Sequence, residues 1–232
     1  KSFNRPGAGY YNNPLTGLYL FARERDFAAY KANYQLFNDV RNMNRMNWYS
    51  TEEKQNNPFW EINNNSKLAT NSRVIANMKV SYDIAKDLKF EVRGNIDYNN
   101  VLLDNRYAAG GNSVSVSPNG SWSYTKYNDK SLYADGILTY TKSIGDFSLT
   151  GLAGASYQKN TFRDGMSVAN GTTALQYPNF FSFSNMPYNI IFNQTLNRTL
   201  KQGAFANVQV GFKEMIFLDI SARNDWASTL AL

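Results

Sequence analysis

Six segments of this chain alternate apolar and polar residues with a period of two, the signature of strands with one face in each environment. Segment 72–83 sets Val74, Ala76, Met78, Val80 and Tyr82 against Arg73, Asn77, Lys79 and Ser81. Segment 88–98 is the clearest: Leu88, Phe90, Val92, Gly94, Ile96 and Tyr98 oppose Lys89, Glu91, Arg93, Asn95 and Asp97. Segment 131–142 sets Leu132, Ala134, Gly136, Leu138 and Tyr140 against Tyr133, Asp135, Thr139 and Thr141. The same alternation runs through 147–158 (Phe147, Ala153 and Tyr157 on the apolar side), 199–212 (Val208 and Phe212 apolar; Lys201, Asn207 and Gln209 polar) and 216–225 (Ile216, Leu218 and Ile220 apolar; Asp219, Arg223 and Asp225 polar).

The connections alternate strictly in length. Tight turns fall at 84–87, 143–146 and 213–215, and long polar stretches occupy 1–70, 99–130 and 159–198. Short turns on one side and long loops on the other are the habit of an outer-membrane β-barrel. Segments of 10–14 residues are long for a soluble sheet, where about 5–6 is usual, and suit a tilted membrane strand, which needs about 9–11.

Aromatic positions sharpen the pattern. On the apolar faces Tyr82, Phe90, Tyr140, Phe147 and Phe212 lie close to the tight turns, and Tyr98 and Tyr157 lie at the far ends. The two sets are separated by roughly 20–25 Å along a tilted strand, close to the apolar band of about 25 Å that aromatic girdles flank in such barrels. A soluble β-sandwich explains the alternation equally well, but its core needs bulk at the strand centres, where this chain carries Gly and Ala. The expected fold is therefore all-β: an antiparallel transmembrane barrel segment with long extracellular loops. About eight strands are needed to close a membrane barrel, so six strands imply part of a larger barrel or an oligomer.

The loops carry their own signals. Phe27, Tyr30, Tyr34 and Phe37 recur at helical spacing and predict a short helix, with Asp26 as its cap. Pro6, Pro14 and Pro58 break the remainder of 1–70, the expected extracellular loop region ahead of the barrel portion 71–232. Residues 121–127 alternate Trp122, Tyr124 and Lys126 and are expected to prolong the next strand beyond the membrane. Trp122, Tyr124, Tyr177 and Phe181 sit among Asn, Ser and Gly, where rings stack on sugars or peptides, or pack loops on one another and on a partner. Packing takes precedence of the two.

Composition limits the chemistry. The 232 residues contain no Cys and no His, which removes disulfides, thiolate sites and the commonest general base and metal ligand. Net charge is +6, dispersed without the basic run that nucleic-acid binding shows. Mean hydropathy is −0.50, and no apolar run approaches the ~18 residues of a membrane helix. Asn193-Gln194-Thr195 and Asn197-Arg198-Thr199 are chance glycosylation triplets in an Asn-rich chain, and Glu52-Glu53 reads as solvated charge. No nucleophile–base pair, phosphate-cradling loop or metal spacing appears; the expectation is no enzyme and no cofactor. The polar opening 1–10 carries no secretory signal, so either the signal has been removed or the chain is an internal piece, and both ends read as cut rather than finished.

Three stretches carry a family likeness. Asn13-Pro14-Leu15-Thr16-Gly17-Leu18-Tyr19-Leu20-Phe21, followed by Arg23 and Asp26-Phe27, resembles the start of a surface loop in the SusC/RagA family of TonB-linked outer-membrane transporters. Asn57-Pro58-Phe59-Trp60 is similar to that family's Asn-Pro-Tyr/Phe-Trp motif. The run from Leu218 to Leu230, with Arg223-Asn224-Asp225-Trp226-Ala227-Ser228 at its centre, resembles its Arg-Asn-Asp-Trp-Ser-Ser element, with Ala227 replacing the first Ser.

The resemblance implies a 22-stranded barrel with an internal plug and a SusD-like surface lipoprotein as lid. It implies import of oligosaccharides or peptides, driven by the TonB complex through an N-terminal region that this chain lacks. On that basis the chain is a middle portion of the barrel wall in the bacterial outer membrane, bathed by its lipid. Lys79, Lys89, Glu91, Arg93, Asp97, Asp135, Lys201, Asn207, Asp219 and Arg223 are the candidates for lining its lumen. The competing expectation is a soluble secreted β-sandwich, an adhesin or carbohydrate-binding module.

Overall fold

The computed structural model describes residues 14–50, 55–114 and 116–228. Expectations resting on 1–10, Pro6, Asn13, Glu52-Glu53 and Leu230 lie outside the described residues.

The order of elements is α1 (Pro14–Tyr19), α2 (Phe27–Ala32), β1 (Gln35–Asn38), β2 (Met43–Met46), α3 (Pro58–Asn64), β3 (Ser66–Ala85), β4 (Leu88–Tyr107), β5 (Ser121–Ile144), β6 (Phe147–Ala169), β7 (Ile191–Phe212) and β8 (Ile216–Ala227). Strands β3 to β8 form one antiparallel sheet in sequence order, with β3 and β8 at its edges, and β1 and β2 form a separate hairpin. This is an all-β segment of barrel type. The second large sheet that a sandwich requires is not present among the described residues. No described helix is long and apolar enough to cross a membrane.

Each expected strand is present, and most run further. β4 extends to Tyr107, β5 starts at Ser121, β6 reaches Ala169 and β7 starts at Ile191. The long polar stretches shrink accordingly to 108–120 and 170–190. Beyond the apolar zone the alternation breaks, as where Val101, Leu102 and Leu103 run together, so the period-two signal fades although the strands continue. At Arg163 the backbone adopts φ 49°, a kink that further scrambles the alternation. The tight turns are two or three residues long. Gly145 opens one with φ 58°, the conformation a hairpin turn asks of its first central position.

Two of the turns are tied by ion pairs, one to the neighbouring strand β5 and one to the turn after β7. Asp87 pairs with Lys142 at 3.4 Å, and Asp146 pairs with Lys213 at 3.5 Å. Phe147 and Phe212 stack at 4.9 Å between centroids beside these turns.

The described residues divide into two compact units. One comprises residues 72–100, 127–164 and 195–228 and holds the tight turns. The other comprises residues 14–50, 55–71, 101–114, 116–126 and 165–194. The second unit has a small core of Trp122, Val168, Leu175 and Met186, with Tyr124 and Phe181 packed against it. A second aromatic group joins Phe21, Phe27, Tyr30, Trp48 and Tyr49, with Phe59 against Phe27.

The expected short helix forms only in part. Asp26 caps α2, accepting from the backbone N–H of Ala28 at 2.8 Å and of Ala29 at 3.3 Å. The helix ends at Ala32, where the Asn33 N–H closes back on the Ala29 carbonyl. Tyr34 and Phe37 therefore leave the helix, and Phe37 enters β1, because pairing with β2 outweighs helical spacing at the end of so short a helix.

Candidate functional site: the polar face of the sheet and its outer loops

The two faces of the six-stranded sheet differ in kind. On the apolar face Val74, Met78, Val80, Tyr82, Phe90, Leu132, Leu138, Phe147, Val208, Ile216, Leu218 and Ile220 all stand exposed. A run of bare apolar side chains across every strand marks a face made for an apolar surrounding. The girdle positions follow it: Tyr82 and Phe147 are exposed, Tyr140 and Tyr157 are partly covered, and the Phe90 ring lies over Gly136. The Tyr98 hydroxyl donates to the Asn128 side-chain oxygen at 2.8 Å.

The opposite face carries paired charges. Arg93 grips Asp135 with two parallel hydrogen bonds, Nε–Oδ1 at 2.9 Å and Nη2–Oδ2 at 2.6 Å. Tyr133 adds its hydroxyl to the same carboxylate at 2.7 Å, and the Asp135 side chain is fully covered. Arg73 clasps Asp97 in the same bidentate way. Lys79 meets Glu91 at 2.8 Å, and Glu91 also accepts from Ser81. Asn95 donates to Asn77, and Gln209 donates to Asp219 at 3.1 Å. Such cross-strand pairs help fix the register of this face.

The Arg-Asn-Asp-Trp stretch contributes one of these pairs. Arg223 and Asp225 are two residues apart and so share a face, with Nε–Oδ2 at 2.7 Å. Their cross-strand partners are Phe205 and Gly203. A side chain at Gly203 would collide with the Asp225 carboxylate and come within 3.0 Å of Arg223 Nη2. The Arg223 guanidinium lies 5.6 Å from the centre of the Phe205 ring.

Of the ten lumen candidates, Lys79, Glu91, Arg93, Asp97, Asp135, Asp219 and Arg223 are thus held in pairs on one face. Lys89 and Lys201 are exposed and Asn207 half-buried on that face, with Asn207 opposite Ser221. Arg73 and Asp225 belong with the paired set although only their partners were singled out. The signal that could have found them is the same period-two position.

A groove of about 560 Å³ opens on this face, lined by Arg73, Asp97, Asn99, Asp129, Ser131, Asn160, Phe162 and Thr199. Ser131 donates to Asn160 at 2.8 Å, and the Asn99 side-chain oxygen is buried without a partner. Amides, hydroxyls, one ion pair and a ring suit hydrogen bonding to hydroxyls or peptide groups. Among the described residues no cluster of His, Cys, Asp or Glu could hold a metal ion.

In the loop-bearing unit, asparagine does the work that secondary structure does elsewhere. Asn57 is completely buried: its oxygen accepts from Phe59 N–H, and its amide donates to the carbonyls of Tyr30 and Asn47. It thereby caps α3, with Pro58 at the first helical position. The Asn-Pro-Phe-Trp motif is thus a loop staple, with Trp60 buried behind it. Asn170 donates to Gly120 and Thr173 carbonyls and accepts from Trp122 N–H. Asn185 binds Tyr177 through both N–H and carbonyl. Buried loop backbone must be satisfied somehow, and this accounts for the abundance of Asn.

The four loop aromatics divide. Trp122 is buried, its indole N–H donating to Asp104 at 2.8 Å, where Arg106 also binds. Tyr124 packs on Trp122, and Phe181 lies under the Arg106 guanidinium. Tyr177 is exposed, as are Phe180, Phe183 and Tyr188. One titrating group stands out here. Burial pushes the Glu61 carboxyl up to about 7, against the opposing pull of the Asn65 amide and the Lys67 ammonium. Burial also pushes the Tyr107 phenol up to about 12, with Glu61 adding to it, and lowers Lys67, whose ammonium lies 5.1 Å from the Tyr107 ring centre.

No family model matches the chain, and no curated protein does. Solved structures do. The structure of the RagAB peptide transporter is 17% identical over 81% of this chain and 21% of that chain, with a TM-score of 0.63. The RagAB peptide importer in its "open-open" state is 18% identical over 79% of this chain and 20% of that chain, with a TM-score of 0.65. In its "closed-closed" state the values are 17%, 78%, 20% and 0.61. The chain spans about a fifth of the length of the chains it matches. At this identity the likeness is one of fold: the chain shares the architecture of a portion of a transporter chain in the RagAB assemblies.

Proposed function

We propose that the chain is a wall segment of a TonB-linked importer of the SusC/RagA type in the bacterial outer membrane. The observation that carries this reading is the split of one six-stranded sheet into a bare apolar face and an ion-paired polar face. The apolar face meets lipid. The polar face turns to the barrel interior, where its pairs and the groove beside Arg73 and Asp97 contact a plug or passing substrate. The unpaired edges β3 and β8 continue into neighbouring strands of a larger barrel.

The fold likeness to a peptide importer supports peptides or oligosaccharides as cargo, with a SusD-like lipoprotein as lid and the TonB complex as energy source. Its role is binding and passage, without bond chemistry. The exposed rings Tyr177, Phe180, Phe183 and Tyr188 suit contact with cargo or lid.

The test is the intact mass of the polypeptide recovered from the membrane fraction, together with the proteins that co-purify. A mass several times 26.3 kDa, extracted only by detergent with a surface lipoprotein, supports the importer. A species near 26.3 kDa in detergent-free solution overturns it in favour of a soluble domain.

A further inference from the structure

On three adjacent strands a cation follows an apolar side chain on the outward face, and all three cations line one groove. Stepping outward by two residues along each strand, Leu132 of β5 is followed by Lys130, Tyr157 of β6 by Lys159, and Leu200 of β7 by Arg198. All three cations are exposed, and among the described residues none forms an ion pair within 4.0 Å. This contrasts with the polar face, where most charges are paired. The three border a groove of about 350 Å³ whose other walls are Tyr98, Asn128, Leu132, Thr161 and Asp164. Tyr98 is held there through Asn128. The groove therefore joins Tyr98 and Leu132 of the apolar face to a net charge of +2, three cations less one carboxylate.

We propose that Lys130, Lys159 and Arg198, set just past Tyr98 and Leu132 on the outward face, bind the phosphate headgroup of a membrane lipid whose chains lie along the apolar face. The proposal rests on the reading that this face meets lipid. Aromatic side chains mark the level of the membrane interface, and long cationic side chains beside them reach the headgroup layer. Each cation near an anionic lipid surface strengthens attachment several-fold. Phosphate needs more than one donor-bearing cation, and three strands supply them from a rigid sheet. Asn128 and Thr161 add neutral hydrogen-bonding groups for the sugar or glycerol that carries the phosphate. The apolar stem beneath distinguishes a lipid from free phosphate.

The experiment uses the full-length protein, extracted in mild detergent and examined by native mass spectrometry. The probes are lipid A, its dephosphorylated form, and inorganic phosphate. Wild type is expected to retain lipid A, to lose it about tenfold more readily in the combined K130Q/K159Q/R198Q variant, and to retain it more tightly in D164N. Millimolar inorganic phosphate is expected not to displace it. Equal retention of lipid A by wild type and the triple variant, or equal retention of the dephosphorylated lipid, overturns the proposal while the barrel reading stands. Heat-modifiable gel mobility of the triple variant reports assembly separately from lipid retention. A protein that needs no detergent overturns both.

Discussion

Arg93 and Asp135, 42 residues apart and on neighbouring strands, form a two-point clasp in which the carboxylate is wholly covered and also accepts the Tyr133 hydroxyl. A covered carboxylate that loses its cation is an uncompensated charge, whereas removal of both partners leaves none. We expect Arg93→Leu, which strands the covered Asp135 carboxylate, to lower the yield of assembled barrel and its melting temperature. The double variant R93L/D135L should recover much of the loss. Heat-modifiable mobility of the full-length protein in isolated membranes reads both. A double variant as impaired as the single one would mean that the pair serves cargo or plug rather than the wall.

The orientation of the sheet has its own check. Val208 and Ala153 stand exposed on the apolar face, and Asn207 lies on the polar one. An arginine on a lipid face costs about 2–4 kcal/mol near the midplane. Val208→Arg and Ala153→Arg should therefore impair insertion, and Asn207→Arg should be tolerated or alter uptake alone. Equal tolerance at all three positions, measured as the folded fraction in the membrane, would invert or abolish the orientation.

Asn57 makes three hydrogen bonds from a fully buried position. Asn57→Ala removes a helix cap, worth about 0.5–2 kcal/mol, and leaves two carbonyls without their donor. Hydrogen exchange across α2, β2 and α3 is expected to accelerate, with exchange at residues 72–100 and 127–164 unchanged. Protection of α3 at the wild-type level would deny Asn57 its stapling role.

Glu61 makes the loop-bearing unit sensitive to pH. Its carboxyl titrates near 7 when folded and near 4.5 as a free group. The folded unit therefore holds the proton more tightly, so stability is full below about pH 4.5 and falls as pH rises to about 7. The displacement amounts to roughly 3 kcal/mol. Glu61→Gln keeps the polar contact to Asn65 without the charge and should flatten this dependence. Exchange protection of residues 58–64 between pH 5 and 8 measures it, and a slope unchanged in the variant would assign the titration elsewhere.

Much of the fold was legible because its signals are local. Val92 and Arg93 point to opposite faces by the geometry of any strand, and Gly145 announces its turn. The strand ends were not legible: β4 continues through 99–107, but the run Val101-Leu102-Leu103 breaks the alternation there. Nor was the helix end at Ala32, which depends on the pairing of Phe37 with Asn44. The site was legible as a face and not as pairs. Arg73 and Asp225 matter through Asp97 and Arg223: the period-two position puts them on the right face, but the clasp of Arg73 on Asp97 crosses between strands. Trp122 and Tyr177 look alike in sequence, yet one is buried on Asp104 and the other is bare.

By itself the sequence determined that there are six long strands, which side chains share a face, and where the chain turns sharply. Each of these follows from steric rules acting within a few residues. Tertiary structure decided which charges meet, which asparagines staple the loops and which aromatic rings remain exposed. Those outcomes depend on atoms brought together across tens of residues, where a hydrogen bond or a covered ring is a property of the partner as much as of the residue.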